Sequence, residues 1–197
     1  MRVRLGSSDF SLPMTQFDNR DSKPLPTPAL VVGYGSIGAR HTKILESYGC
    51  EVIVVSRRPD VHPRCHSDLR EALRSLSIEY AVIASETSKH AGVLRELRAA
   101  GYAGRVLVEK PLSGTPDELC GVDGRDVYVG YQLRYDPLVL ALRDAIAGCT
   151  IISAELRACS YLPHWRPSRD YRFTESARTD AGGGVLRDLS HELDYAL

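Results

Sequence analysis

The sequence predicts an α/β fold in which a doubly wound parallel sheet carries helices on both faces. From residue 29 onward, short apolar runs rich in Val and Ile alternate with helical patterns of Leu and Ala. Continuous apolar runs are typical of strands buried on both faces, and strands that alternate with helices form parallel βαβ units. The predicted strands are Leu30–Val32, Val52–Val55, Tyr80–Ile83, Val106–Val108 and Val127–Val129.

Helical stripes occupy the intervals between these runs. Asp136-Pro137 is typical of an N-cap followed by proline at the first helical position, so it marks the start of one helix. Apolar residues recur at the helical period in four segments. They are Ile37, Ile44, Leu45 and Tyr48; Leu69, Ala72, Leu73 and Leu76; Val93, Leu94 and Leu97; and Leu138, Leu142 and Ile146.

The segment Ala29–His41 (ALVVGYGSIGARH) joins the first strand to the first helix through three glycines. In this context Gly33-x-Gly35-x-x-Gly38 is the dinucleotide fingerprint. The first glycine permits the turn, the second lets a pyrophosphate approach the backbone, and the third lets helix and strand pack closely. The helix N-terminus offers N–H groups and a favourable dipole to the phosphates. The pattern predicts a Rossmann domain with cofactor contacts from Gly33, Tyr34, Gly35, Ser36, Ile37 and Gly38.

The end of the second strand indicates which dinucleotide binds. NAD-binding domains of this fold carry an Asp or Glu there for the ribose 2′-OH, whereas an arginine accommodates the 2′-phosphate of NADP. This chain has Ser56, Arg57 and Arg58 at that place. A hydroxyl and two guanidinium groups suit a phosphate, so we expect NADP, with NAD possible. In the alternative interpretation the arginines only solvate a loop.

Composition narrows the class of protein. The 25 basic and 25 acidic side chains among 197 residues cancel, which argues against a general binder of nucleic acid or anionic membranes. No apolar run approaches the roughly 20 residues that span a bilayer, and an apolar secretion signal is absent. The five cysteines are widely spaced without a C-x-x-C pair, which is typical of reduced thiols. We therefore expect a cytoplasmic protein that binds small molecules and no metal.

Three regions follow from these patterns. Residues 1–28 have little apolar periodicity and are predicted to be a mobile leader, and residues 29–148 form the dinucleotide-binding domain. Residues 149–197 begin a second domain, with a strand over Thr150–Cys159, a loop over 160–181 and a helix opened by Gly182–Gly184. Because one strand and one helix cannot close a layer, this domain is predicted to be incomplete. The chain is then a fragment, or another chain supplies the missing elements; we favour the fragment.

Three separated motifs resemble the Gfo/Idh/MocA family of oxidoreductases. They are the first glycine motif, Glu109-Lys110-Pro111, and Gly182-Gly183-Gly184-x-x-x-Asp188. Ala84–His90 (ASETSKH) and Gly130–Pro137 (GYQLRYDP) resemble the family's third-strand loop and fifth-strand segment, and the resemblance covers residues 29–197. The segments YLPHWRPSRDYR and GGGVLRDLSHELDY resemble members placed in bacterial surface-sugar pathways.

The resemblance implies both a fold and a reaction. Known members join a Rossmann domain to a mostly antiparallel α/β domain whose open sheet often forms the oligomer interface. They oxidise or reduce a sugar or cyclitol hydroxyl with NAD(P). The resemblance therefore implies this reaction, a homo-oligomer where the full second domain is present, and cofactor contacts from the third-strand loop by Glu86, Thr87 and His90.

Lys110 follows the fourth strand at its carboxyl end, the rim where ligands bind in open α/β sheets. A lysine there is suited to donate a hydrogen bond to a substrate oxygen and to stabilise developing negative charge. The resemblance implies that Lys110 is the family's catalytic lysine, with Glu109 orienting it and contacting the cofactor. The alternative is a surface lysine in a strand-to-helix turn.

The predicted last helix has a polar face with Asp188, His191 and Tyr195. Its opposite stripe is Leu186, Leu189, Leu193 and Leu197. We expect the polar face to line the sugar site, with His191 transferring a proton and Asp188 orienting, because histidine titrates near neutral pH. A solvated face is the alternative. The family's common D-x-x-x-H pattern is one residue longer than Asp188-Leu-Ser-His191, which leaves open whether Asp188 or Asp194 takes the role.

Aromatic rings and an arginine complete the predicted substrate site. Tyr131, Arg134, Trp165 and Tyr195 suit sugar rings and acidic groups, although Arg134 is equally suited to packing before a helix cap. Two other functions stay open. One is a non-catalytic NADP(H) sensor or scaffold, and the other is a methyltransferase-type α/β domain, which leaves Glu109-Lys110-Pro111 unexplained.

Overall fold

The computed structural model describes residues 28–165, 167–168 and 170–195. The predicted leader up to residue 27 and Leu197 of the predicted apolar stripe lie outside this range. Within it, a parallel sheet of six strands has the order β3-β2-β1-β4-β5-β6, which confirms the predicted α/β class. The strands are β1 (Ala29–Val32), β2 (Val52–Val55), β3 (Cys65–His66), β4 (Tyr80–Ile83), β5 (Arg105–Val108) and β6 (Val127–Val129).

Six α-helices accompany the sheet in the described residues: α1 (Ser36–Ser47), α2 (Leu69–Ser75), α3 (His90–Ala99), α4 (Pro137–Ile146), α5 (Val185–Asp188) and α6 (His191–Asp194). The predicted cap of α4 is confirmed, because the Asp136 carboxylate accepts a hydrogen bond from the Leu138 N–H at 2.8 Å. Single 3-10 turns span Thr87–Lys89, Pro116–Leu119, Gln132–Tyr135, Leu162–His164, Tyr171–Phe173, Glu175–Ala177 and Thr179–Ala181.

The core lies on both faces of the sheet. Along β1, Leu30 and Val32 belong to one apolar cluster and Ala29 and Val31 to the other, and all four are buried. Helix residues such as Leu94 and Leu97 of α3 complete the first cluster. Burial on both faces explains why the strands are continuous apolar runs instead of alternating ones.

The chain reverses its direction of travel across the sheet between β3 and β4, which places a switch point between β1 and β4. Sequence reasoning missed β3, because Cys65 and His66 form only a two-residue strand paired with Val54 and Val55. In open α/β sheets, ligands bind outside the carboxyl ends of the strands at such a switch point.

Two predictions about the last third of the chain are wrong. Residues 150–159 form no strand and are mostly exposed, with Ile152 97% accessible. No described strand pairs with them, and an unpaired strand leaves its N–H and C=O groups without partners. The predicted final helix is divided into α5 and α6 by a turn at Leu189 and Ser190, and Leu186 and Leu193 of its apolar stripe are exposed.

Candidate active site

An open cleft of about 2690 Å³ runs along the carboxyl ends of the strands. This volume is well above the roughly 300–1,000 Å³ of a site for one small ligand. The glycine turn, the segment after β2, the loops after β4, β5 and β6, and α5 and α6 all contribute to its lining. The cleft therefore has room for a dinucleotide together with a second molecule.

The three glycines of the first motif have different surroundings. Gly33 has φ +95°, and a Cβ there would lie 2.7 Å from the Ala84 carbonyl oxygen. A Cβ on Gly38 would lie 1.9 Å from the Gly33 carbonyl oxygen, so Gly38 is packed behind the turn. A Cβ on Gly35 would meet no protein atom within 4 Å. Gly35 thus presents bare backbone to open space at the N-terminus of α1, where the first helical N–H groups lack intrahelical acceptors. This cradle fits a dinucleotide pyrophosphate.

The residues after β2 lie at the cleft as predicted. The Arg58 N–H donates to the Ser56 hydroxyl at 3.1 Å, and the Arg58 guanidinium donates to the Tyr34 carbonyl oxygen. The Arg57 guanidinium donates to the Glu86 carboxylate at 3.1 Å. This arrangement surrounds the end of β2 with cationic groups.

Glu86 is held from two sides, by Arg57 and by Lys89. The Lys89 hydrogen bond is the main reason that the pKa of Glu86 is below its usual range. Thr87 lines the cleft beside it and packs under Gly182, where an added Cβ would lie 2.6 Å from the Thr87 Cβ. His90 is buried, with its ring nitrogens 2.9 Å from the carbonyl oxygens of Ser85 and Pro111.

Lys110 and Glu109 leave β5 at the predicted rim. The Lys110 ammonium donates to the carbonyl oxygen of Asp188 at 2.5 Å, across 78 residues of sequence. The Lys110-Pro111 peptide bond is cis. The Glu109 carboxylate lies 2.7 Å from Nε2 of His41 on α1, and both side chains are about one-fifth exposed. No role was predicted for His41 from the sequence. Its position on α1, three residues after Gly38, is the feature that could have indicated one.

The turn between α5 and α6 shapes the opposite wall. It exposes the Asp188 carbonyl to Lys110 near the end of α5, where cations are favoured. The Asp188 carboxylate accepts from the Ser176 hydroxyl at 3.4 Å. The His191 ring lies edge-on to Tyr131 at 5.6 Å, and its Nδ1 is buried with no hydrogen-bond partner among the described residues. Burial first, and then the charge of Lys110, lower the pKa of His191 below its usual value.

The remaining predicted substrate residues divide into two groups. Tyr131, Arg134 and Trp165 line the cleft, whereas Tyr195 is absent from the lining and is half-buried. The Arg134 guanidinium donates two hydrogen bonds to the Asp194 carboxylate, at 2.7 and 2.6 Å. The Asp194 carboxylate is thus engaged by Arg134, whereas Asp188 contacts Lys110 through its backbone carbonyl oxygen.

Among the described residues, no three His, Cys, Asp or Glu side chains are grouped so as to hold a metal ion. No helix within these ranges has the length and apolar character to cross a bilayer.

The fold and the glycine cradle together define a domain of the NAD-binding Rossmann class. Comparison with known proteins gives the family. The model of the GFO_IDH_MocA family, described as an oxidoreductase family with an NAD-binding Rossmann fold, matches residues 28–122. This match over residues 28–122 confirms the resemblance to the Gfo/Idh/MocA oxidoreductases that the motifs predicted.

One curated relative agrees with this assignment. Inositol 2-dehydrogenase 2 of Paenarthrobacter aurescens (strain TC1) is 31% identical over 145 residues, which are 63% of this chain and 43% of that protein. The chain thus spans less than half the length of this curated relative.

Two solved structures share the fold. GenD2 from gentamicin A biosynthesis, in complex with NAD, is 22% identical with a TM-score of 0.65, covering 88% of this chain and 54% of that one. The WlbA (WbpB) dehydrogenase of Thermus thermophilus, in complex with NAD and UDP-GlcNAcA, is 20% identical with a TM-score of 0.62, covering 86% and 62%.

Proposed function

We propose that this chain is the nucleotide-binding part of a dehydrogenase that transfers hydride between NAD(P) and a hydroxyl or keto group of a sugar or cyclitol. The observation that carries the proposal is the convergence of Lys110 and His191 on the cleft that also contains the bare glycine turn. A dinucleotide site alone needs no ammonium or imidazole in that position.

The cofactor would be held by the glycine turn and the loops that flank it. Gly35, Ser36 and Ile37 present backbone to the pyrophosphate, and Gly33 and Gly38 keep the turn tight. A bound nicotinamide ring would supply or accept the hydride, which no protein side chain does. Glu86, Thr87, His90 and Glu109 complete the proposed contacts.

Lys110 and His191 have properties that suit the substrate oxygen. The Lys110 Nζ is fixed by the Asp188 carbonyl and carries protons to donate to that oxygen. The lowered pKa of His191 favours its neutral imidazole, the form that accepts a hydroxyl proton. Asp188 would act by positioning Lys110 through its carbonyl group.

The substrate class is proposed from the cleft and from the relatives. Tyr131 and Trp165 offer ring faces and edges to a polyhydroxy ring. One relative is named an inositol dehydrogenase, and one solved structure holds a UDP-sugar derivative. Tyr195 remains a proposed substrate residue that the cleft of this chain does not include.

For the cofactor, we propose a preference for NADP(H) over NAD(H). Ser56, Arg57 and Arg58 stand where NAD-binding domains carry an acid, and all three line the cleft. The family description and two solved structures name NAD, which supports binding of the nicotinamide dinucleotide as a class.

The organisation of the whole protein is also proposed. Residues 29–148 would be the Rossmann domain and 149–197 the start of the substrate domain, with homo-oligomers where that domain is complete and a cytoplasmic location.

The test is calorimetric titration of the chain with NAD⁺ and NADP⁺, followed by a turnover screen over sugars and cyclitols. We expect both dinucleotides to bind, NADP⁺ more tightly, and a polyhydroxy substrate to reduce the cofactor. Absence of binding by the folded chain would refute the proposal, and binding without any turnover would favour a sensor or scaffold.

A further inference from the structure

Three charged side chains from separate loops meet beside the glycine turn. Glu86 follows β4, Arg57 follows β2, and Lys89 lies one turn beyond Glu86. The Glu86 carboxylate pairs with both cations, with Arg57 at 3.1 Å. All three residues line the cleft. The group has a net formal charge of +1, from two cations and one anion.

The order of the strands explains how Arg57 and Glu86 come together. Strand β1 lies between β2 and β4, so the Arg57–Glu86 pair joins the two strand ends that flank the glycine turn. The β2 end itself carries Ser56 where an acid binds the ribose 2′-OH in NAD-binding domains. The Glu86 carboxylate therefore contacts the Arg57 side chain from the other side of β1.

We propose that Glu86 sets the balance between the two dinucleotides. Its carboxylate occupies Arg57 and opposes the negative charge of a 2′-phosphate, so it weakens the preference for NADP(H) that the arginines create. The chain accepts NAD(H) alongside NADP(H) for this reason. This inference rests on the proposed function, because it assumes that a dinucleotide binds in the cleft.

The expected size of the effect follows from solvent exposure. The Arg57 side chain is 81% exposed and that of Glu86 is 33% exposed, so the ion pair contributes little to folding. Replacing Glu86 by Gln raises the charge of the group from +1 to +2 without removing bulk. In water-like surroundings one added charge near a phosphate gives roughly a five- to tenfold change in affinity.

The experiment is titration of the full chain with NAD⁺ and NADP⁺ separately, by calorimetry at low salt. The variants are E86Q, R57Q, the double variant R57Q/E86Q, and E96Q. Glu96 is an exposed residue of α3 that does not line the cleft, so E96Q is the matched control. Melting temperatures show whether each variant is folded.

We expect E86Q to raise the ratio of NADP⁺ affinity to NAD⁺ affinity by about five- to tenfold. The gain should shrink as salt is added and should be smaller in the R57Q background, because Arg57 is the group that Glu86 neutralises. If Glu86 had only a structural role, the effect of E86Q on NADP⁺ affinity would depend neither on salt nor on Arg57. E96Q should resemble the unmodified chain.

Two failures are distinguishable. If none of the folded proteins binds either dinucleotide, the proposed function is wrong. If they bind but E86Q leaves the ratio of the two affinities unchanged, the proposed role of Glu86 is overturned and the cofactor site stands.

Discussion

Alanine at Gly35 and alanine at Gly38 are expected to affect different properties of this chain. A Cβ at Gly35 meets no protein atom within 4 Å, and the residue has φ −80°, which alanine adopts without strain. A Cβ at Gly38 lies 1.9 Å from the backbone carbonyl oxygen of Gly33. Real Cβ contacts are essentially never under 3.0 Å, so the helix or the turn must move by about 1 Å.

These geometries give rough magnitudes. For G35A, loss of unfolded-state entropy stabilises by about 0.4–1 kcal/mol, and a poorer N-cap costs a similar amount, so stability should change by less than about 1 kcal/mol. For G38A, overpacking against backbone costs about 3 kcal/mol, and better helix propensity offsets about 1 kcal/mol. The net loss of about 2 kcal/mol lowers the melting temperature by roughly 4–8 °C.

Dinucleotide binding should be affected directly by G35A, although that variant keeps its stability. The G35A methyl occupies the space through which a pyrophosphate approaches the backbone, so we expect at least about a tenfold loss of affinity in a stable protein. Thermal melts and calorimetric titration with NADP⁺ measure the two properties. A G35A protein that binds as tightly as the unmodified chain, or a G38A protein with an unchanged melting temperature, would refute this account of the turn.

Three further outcomes follow from the opposite wall of the cleft. K110M should lower turnover by about 10²–10³-fold with cofactor affinity nearly unchanged, whereas K43M on the exposed face of α1 should not; equal loss in both would contradict the role. Because the pKa of His191 is lowered in the folded chain, the unfolded state binds its proton more readily, so stability is full above about pH 6.5 and falls as the pH drops toward the folded value. The free energy of unfolding, measured by urea titration between pH 7.5 and 5, should therefore depend less on pH in H191Q than in the unmodified chain. An unchanged pH dependence would count against the buried imidazole. Finally, R134Q and D194N should each lower the free energy of unfolding, and the double variant should lower it by less than the sum of the two, as a double-mutant cycle can measure; additive losses would mean that the pair is not coupled.

Sequence reasoning was most successful where structure is local. The strand, turn and helix around Gly33 could be predicted because the steric needs of the turn fall on neighbouring residues. The same holds for the Asp136 cap of α4. It failed for residues 150–159, whose apolar character suits a strand that has no neighbour to pair with in the described chain.

The candidate site shows the same division. Lys110 and His191 could be nominated from motifs, but the contact of Lys110 with the Asp188 carbonyl depends on the break after α5, which a continuous amphipathic pattern did not reveal. Likewise His41 of α1 meets its partner Glu109, which follows β5 and lies 68 residues away in sequence, only in the folded chain.

By itself the sequence determined that this chain contains a doubly wound sheet with a glycine turn of the dinucleotide-binding type. Glycine's conformational freedom and the alternation of apolar runs act over a few residues, so they can be read in order. Only the tertiary structure decided that Glu86 meets Arg57 and that Lys110 meets Asp188. These contacts depend on the order of the strands in the sheet. That order is determined by burial of the whole sheet, which cannot be predicted from any local segment.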